Sequence, residues 1–152
     1  MAVIEEEKPA WKFIQPRYPH MGPIEARIWS AFLEGTDLTF TKIEYDVRVG
    51  PGNMPSYSLP EDIANMWKSL TQLRIDAVGH RVGEIWIFEV KPRAGRSGLG
   101  QLLAYKTWYQ HDYKPMKPIR LGIVCQEIDQ NMIEVYKSYG IDIFQVLTRI
   151  RL

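Results

Sequence analysis

The hydrophobic pattern changes period several times along the chain, and each change marks an element. Residues 21–35, MGPIEARIWSAFLEG, space their apolar side chains as a helix does, with Pro23 in the first turn and Gly35 past the end. That helix should bury Ile24, Ile28, Ala31 and Phe32. Residues 40–50, FTKIEYDVRVG, alternate Ile43, Tyr45, Val47 and Val49 with Lys42, Glu44, Asp46 and Arg48, the period-2 pattern of a strand with one wet face near a sheet edge. PGNMPSYSLP reads as a loop, and Ser58 with Glu61 has capping-box spacing ahead of a short helix to about Leu70. Residues 51–70 are thus expected to be an insertion between strands.

Two strand candidates follow, TQLRIDAVG and EIWIFEVKP, separated by a short turn containing Gly83. The second is apolar on both faces and should be central. SGLGQLLAYKTWYQ predicts a helix begun by Ser97, and PIRLGIVCQ another buried strand. A last helix, DQNMIEVYKSYG, should stop at Gly140 in a left-handed conformation before a final strand, IDIFQV. The order α, β, (α), β, β, α, β, α, β predicts an α/β fold with a central mixed sheet, a three-strand meander and then helix and strand, flanked by helices. A length of 152 residues suits one domain across residues 1–152, so any site must be built on a single core.

Composition adds little to this picture, with 45% hydrophobic and 24% charged residues. No apolar run approaches the roughly 18 residues that span a bilayer, and the acidic start MAVIEEEKPA lacks the basic and apolar regions of a signal peptide. These features predict an intracellular, cytoplasmic protein with no membrane partner. Cys125 is the single cysteine, which leaves no internal disulfide and reads as a core thiol. Charge is more informative. Residues 71–120 carry nine Lys or Arg against four Asp or Glu, whereas residues 1–70 carry seven against ten. A basic middle third fits contact with a polyanion, and dispersed surface lysines would produce the same count.

The two central strands allow a register to be derived. A tight turn at Val82 and Gly83 pairs Arg81 with Glu84, and paired residues in a hairpin keep a constant sum. Val78 then meets Ile87 and Asp76 meets Glu89 on one face, while Ala77 meets Phe88 and Ile75 meets Val90 on the other. Directly opposed side chains have Cβ atoms roughly 5 Å apart, so two carboxylates converge, with Lys91 two residues beyond Glu89 on the same side. Two carboxylates at that distance repel if both ionise, and apolar neighbours add a desolvation cost. A divalent cation such as Mg²⁺ answers both, since it takes hard oxygen ligands and retains waters that can be deprotonated for attack on phosphorus. Lys91 would orient or activate that water and offset charge on the phosphate. The alternative is a structural ion pair between Lys91 and one of the carboxylates.

Asp76, the triplet Glu89-x-Lys91 and the pair Gln101 and Tyr105 resemble the PD-(D/E)XK nuclease superfamily, in its RecB-like or restriction-endonuclease-like group. The resemblance implies a restriction-endonuclease-like fold and Mg²⁺-dependent hydrolysis of phosphodiester bonds in DNA, with Mn²⁺ able to substitute. It implies Asp76 and Glu89 as catalytic metal ligands, Lys91 as the catalytic lysine, Gln101 as a catalytic positioning residue, and Gln101 with Tyr105 as the helical Gln-x-x-x-Tyr signature. It also offers Glu25, on the first helix, as a third metal ligand. The proline that gives the superfamily its name is absent before Asp76, where LRIDAV stands.

Arg93, Arg96 and Lys106, with Tyr105, are the expected nucleic-acid contacts, and Gly95, Gly98 and Gly100 a flexible approach for the backbone. His20, His80 and His111 show no metal-ligand spacing and read as surface or turn residues. Trp108, Tyr109 and Tyr113 suit either base stacking or core packing. The competing function is a structural or DNA-contacting component of a phage virion or larger complex that keeps the fold without turnover. A homo-oligomer, or a nuclease subunit acting only within an assembly, is compatible with the same residues.

Overall fold

The computed structural model describes residues 5–147. Residues 1–4, which open the acidic start, and residues 148–152 lie outside the described residues. A short strand β1 (Lys8–Pro9) and a 3₁₀ turn (Ala10–Phe13) lead to helix α1 (Pro23–Gly35). Strand β2 (Thr39–Phe40) pairs with β1. Then come β3 (Lys42–Val49), α2 (Glu61–Thr71), β4 (Leu73–His80), β5 (Ile85–Ala94), α3 (Arg96–Tyr113), β6 (Ile119–Ile128), α4 (Ile133–Ser138) and β7 (Ile141–Gln145). The five long strands form one mixed sheet in the order β3-β4-β5-β6-β7, antiparallel through the meander β3-β4-β5 and parallel from β5 to β7. The chain is therefore α/β with a mixed sheet flanked by helices, β5 at its centre and β3 at an edge, as the pattern predicts. No helix among the described residues is long and apolar enough to cross a membrane.

Each face of the sheet has its own core, as expected for a layered α/β fold. On one side α1 presses Ile28, Trp29, Phe32 and Leu33 against Phe88, Val90 and Val124. The expected stripe is rotated: Trp29 and Leu33 are buried, while Ile24 is exposed and Ala31 only half-buried. Trp29 fixes the rotation, because its ring packs edge-on against Phe88 at 5.1 Å and its Nε1 donates to the Tyr45 hydroxyl at 2.9 Å. On the other side α3 and α4 pack Leu102, Tyr105, Tyr109 and Tyr136 over Ile87, Ile123 and Cys125. Cys125 is a core thiol, its pKa pushed up to about 11 by burial.

Two helix starts differ from expectation. Helix α2 begins after Pro60 with no side-chain cap, so Ser58 and Glu61 form no capping box. Helix α3 begins at Arg96, with Gly95 rather than Ser97 at the cap position. The stop at Gly140 is as expected, with φ +70°.

The connection from β3 to β4 carries α2, and it rides on a bend in the sheet. Asp46 has φ +53°, rare for a residue other than glycine, and neither it nor Asp76, its partner in register, joins the ladder. The pairing Tyr45–Ala77 on one side of this step belongs to the α1 core, whereas Val47 and Ile75 on the other side pack into the α3 core. The single stripe expected from Ile43 to Val49 is thus split between two faces. Asp46 secures the bend with a two-pronged ion pair to Arg74, at 2.6 and 2.8 Å.

Gly98 sets how closely α3 lies on the sheet. A Cβ there would stand 2.6 Å from Ile123 Cδ1 and 2.7 Å from the Tyr136 hydroxyl, and 3.6 Å from the Lys91 stem. It is a close contact, in contrast to the flexible approach expected of it. Gly98→Ala should therefore cost about 1–3 kcal/mol by overpacking, seen as a lowered midpoint in denaturant with an unchanged slope. Gly100, with nothing within 4 Å of its would-be Cβ, is the control.

Candidate functional site

The hairpin register follows the derived one over four pairs: His80–Ile85, Gly79–Trp86, Val78–Ile87 and Ala77–Phe88. The expected Ile75–Val90 pair does not form. In a continued ladder the Val90 N–H would donate to the Ile75 carbonyl. It donates instead to Asp76 Oδ2, at 2.8 Å. The carboxylate has taken the place of a backbone acceptor, so the strands part where the side chains of Asp76 and Glu89 meet.

Asp76 and Glu89 are the two charged side chains in the buried set, 8% and 5% exposed. Their carboxyls lie within hydrogen-bonding range of each other, and the Tyr105 hydroxyl reaches Glu89 from α3. Burial and then the Asp76 charge push Glu89 up to about 8, and burial raises Asp76 as well. The pair therefore keeps a proton between its two carboxyls at neutral pH. Tyr105 is raised too, first by burial and then by Glu89, and stays a donor. Lys91 lies on the same face of β5, half-buried, and favours ionisation of both carboxylates without an ion pair to either among the described residues. The structural ion pair considered from sequence is thus not the arrangement found.

Gln101 stands one helical turn before Tyr105, and its Oε1 is buried with no hydrogen-bond partner among the described residues. Glu89 Oε2 is in the same condition. Unsatisfied buried acceptors are costly, and such groups mark a place that a donor or a cation completes.

The other expected site residues are placed less centrally. Glu25 sits in the first turn of α1 and folds back on Gly22, its Oε2 only 2.8 Å from where a Cβ there would be. No three His, Cys, Asp or Glu side chains gather as one metal-binding group among the described residues, so Glu25 does not make a third carboxylate with Asp76 and Glu89. Tyr105, expected at the nucleic acid, is 4% exposed and serves to hold Glu89. Arg93 is exposed and ion-paired with Glu127 at 3.7 Å, Arg96 is exposed at the first turn of α3, and Lys106 is half-buried on that helix. Tyr109 is buried and stacks on Tyr113, with ring centroids 4.8 Å apart. His80 pairs with Glu44 and His111 with Asp112, as surface histidines do.

Two contributors were not legible in the sequence. Asp46 reads as one polar position in an alternating strand, and His20 as a turn residue among prolines. His20, at φ +64°, lies near enough to be felt by both Asp76 and Asp46. A groove of about 660 Å³ lies elsewhere, between the end of α1 and β7, and includes none of these residues.

The raised Glu89 pKa has a sign. Between the ordinary value of 4.5 and about 8 the folded state holds a proton that the unfolded state has released, so Glu89 makes stability fall as pH rises through that window. Its contribution is fully present below 4.5 and lost above about 8, and Asp76 acts in the same direction. Glu89→Gln should flatten this part of the profile. Denaturant titrations of both proteins across the window measure the difference, which should grow with pH in favour of Glu89→Gln. A difference independent of pH would refute the shared proton.

No protein-family model, curated protein or solved structure matches the chain, so the functional reading rests on the chemistry of these groups themselves.

Proposed function

We propose that the chain is a metal-dependent nuclease of the PD-(D/E)XK kind, with a restriction-endonuclease-like core, that hydrolyses phosphodiester bonds in DNA. The observation that carries this reading is the buried Asp76 and Glu89 pair, with Glu89 Oε2 still unsatisfied. A purely structural site would match these carboxylates with a cation or replace them with apolar residues, because a buried uncompensated charge is strongly destabilising. Two hard oxygen donors fit Mg²⁺, or Mn²⁺ in its place, since Mg²⁺ keeps several waters and needs few protein ligands. Asp76 and Glu89 would hold the ion, whose chemistry is to acidify a bound water and polarise a phosphate oxygen.

The remaining roles belong to the chain's own groups. Val90 N–H and the Tyr105 hydroxyl aim the two carboxyls. Lys91, its stem packed beside Gly98, would orient the attacking water or neutralise charge building on the phosphate. Gln101 Oε1 offers an acceptor to a water or substrate donor in the same recess. Arg96 and Arg93 lie just past Lys91 along the chain, and the basic segment 71–120 suits a phosphate backbone. A reducing interior, host cytoplasm or phage particle, accords with the single buried thiol.

The test uses circular single-stranded and supercoiled duplex DNA with Mg²⁺, Mn²⁺ or chelator. Cleavage should require the ion, and ion binding should release a proton and raise the melting temperature. Asp76→Asn should weaken both effects. Lys91→Ala should stay folded and bind Mn²⁺ while cleaving about 10² to 10⁴ times more slowly. A wild-type chain that neither binds Mn²⁺ nor cuts either substrate would sink the proposal, and a Lys91→Ala protein cutting at the wild-type rate would remove that residue from it.

DNA affinity should also fall with salt, and less steeply once Arg96 and Lys106 are neutralised. Equilibrium binding in chelator over a salt series measures this, and a flat dependence would point away from nucleic acid.

A further inference from the structure

Helix α2 is mounted with its apolar side outward. Ile63, Met66, Trp67 and Leu70 recur at i, i+3, i+4 and i+7, which is one stripe of a helix. Such a stripe normally faces the core, yet these four residues are 38% to 74% exposed and no residue of α2 is buried. The orientation is held by the polar contacts of the insertion. Thr71 Oγ1 accepts from the Asn53 N–H at 2.8 Å and donates to the Trp67 carbonyl, and Gln72 Nε2 donates to the Gly50 carbonyl at 2.8 Å. The Lys68 charge is felt by Asp112 on α3, so the polar side is the one turned to the body.

We infer that this stripe is a two-fold interface with the α2 helix of a second copy of the chain. The stripe is self-complementary: antiparallel helices crossing between Met66 and Trp67 set Ile63 against Leu70 and Met66 against Trp67, apolar on apolar throughout. The same arrangement sets Glu61 and Asp62 near Gln72 and Thr71 of the other copy, so no like charges face each other. A two-fold axis requires such a match of one patch with itself.

The extent also fits. With Met54 and Tyr57 of the same insertion and Leu73 at the start of β4, seven large apolar side chains are exposed. At about 200 Å² for a free large side chain they present on the order of 700 Å², close to the roughly 800 Å² that each partner contributes to a standard interface. Aromatic residues and Met are enriched in such interfaces.

Charge weighs against the other occupants. The helix carries Glu61 and Asp62 against Lys68 alone, and Lys68 lies on the side away from the stripe. A nucleic-acid backbone or an anionic bilayer would want cations flanking the apolar residues, and none flank these.

The experiment is sedimentation of the full chain over a micromolar concentration series, alone and with Leu70→Asp or Met66→Lys. Both replaced residues are exposed, so the variants should keep the wild-type circular dichroism spectrum. The wild type should sediment at twice the monomer mass, and either variant should raise the dimer dissociation constant at least about thirtyfold. As a second reading, Met66→Cys should cross-link copies on mild oxidation, since Cys125 is buried, while Glu61→Cys should not. A monomeric wild type, or a dimer unaffected by both stripe variants, overturns the inference. A monomer whose stripe variants lose DNA affinity assigns the surface to nucleic acid instead.

Discussion

The hydrogen bond from Val90 N–H to the Asp76 carboxylate is the constraint on which the site's geometry depends. Strand pairing by itself would use the Ile75 carbonyl and would leave Asp76 as one more side chain projecting from a flat ladder. By substituting for that carbonyl, Asp76 ends the β4–β5 ladder at Ala77–Phe88 and fixes its own carboxylate at the point of separation. The β3–β4 ladder skips the same level, where Asp46 takes φ +53° and anchors Arg74. Two aspartates thus release the sheet from planarity at one place, and Ile75 can turn to the α3 core while Ala77 stays with α1.

The electrostatics follow from that geometry. Glu89 comes from the central strand, between the apolar Phe88 and Val90 and opposite Ile123, and it meets Asp76 in a place water reaches poorly. Sharing a proton with Asp76 and accepting from Tyr105 offsets part of the desolvation cost, but Glu89 Oε2 and Gln101 Oε1 stay unmatched. A chain under selection for stability alone would discard such a cluster. Its persistence beside Lys91 is the kind of local rule-breaking that proteins concentrate at working sites.

What the sequence made legible was whatever depends on period and on a tight turn. The hairpin register came from Val82 and Gly83, and it carried Asp76 to Glu89 because a constant sum propagates along a ladder. The Gln101 and Tyr105 pair came from the resemblance, whose Gln-x-x-x-Tyr signature it matches at helical spacing. Illegible features were those that depend on a single backbone angle or on contacts far apart in the chain. The left-handed turn at Asp46 splits a stripe that alternates perfectly in sequence, and Trp29 rotates α1 because Phe88 and Tyr45 are there to receive it. Gly98 looked like part of a loose glycine-rich approach, since nothing nearby in sequence announces Ile123 and Tyr136. The distance between His20 and Asp76 in the chain hides their nearness in the same way.

Helix α2 shows where periodicity misleads most. Its stripe is as clear as that of α1, and hydrophobic patterning alone would turn it toward the sheet. The level at which β3 and β4 leave the sheet decides otherwise. Past Asp46 and Asp76 the two strands turn toward α3, whose C-terminal turn closes on them through Asp112 and the Gly50 N–H at 2.7 Å. Trp108 packs beside Gly50 there. The insertion meets the body through the hydrogen bonds of Thr71 and Gln72 to Asn53 and Gly50. With those hydrogen bonds holding the end of α2, its apolar stripe is left facing outward, against what its period alone would dictate.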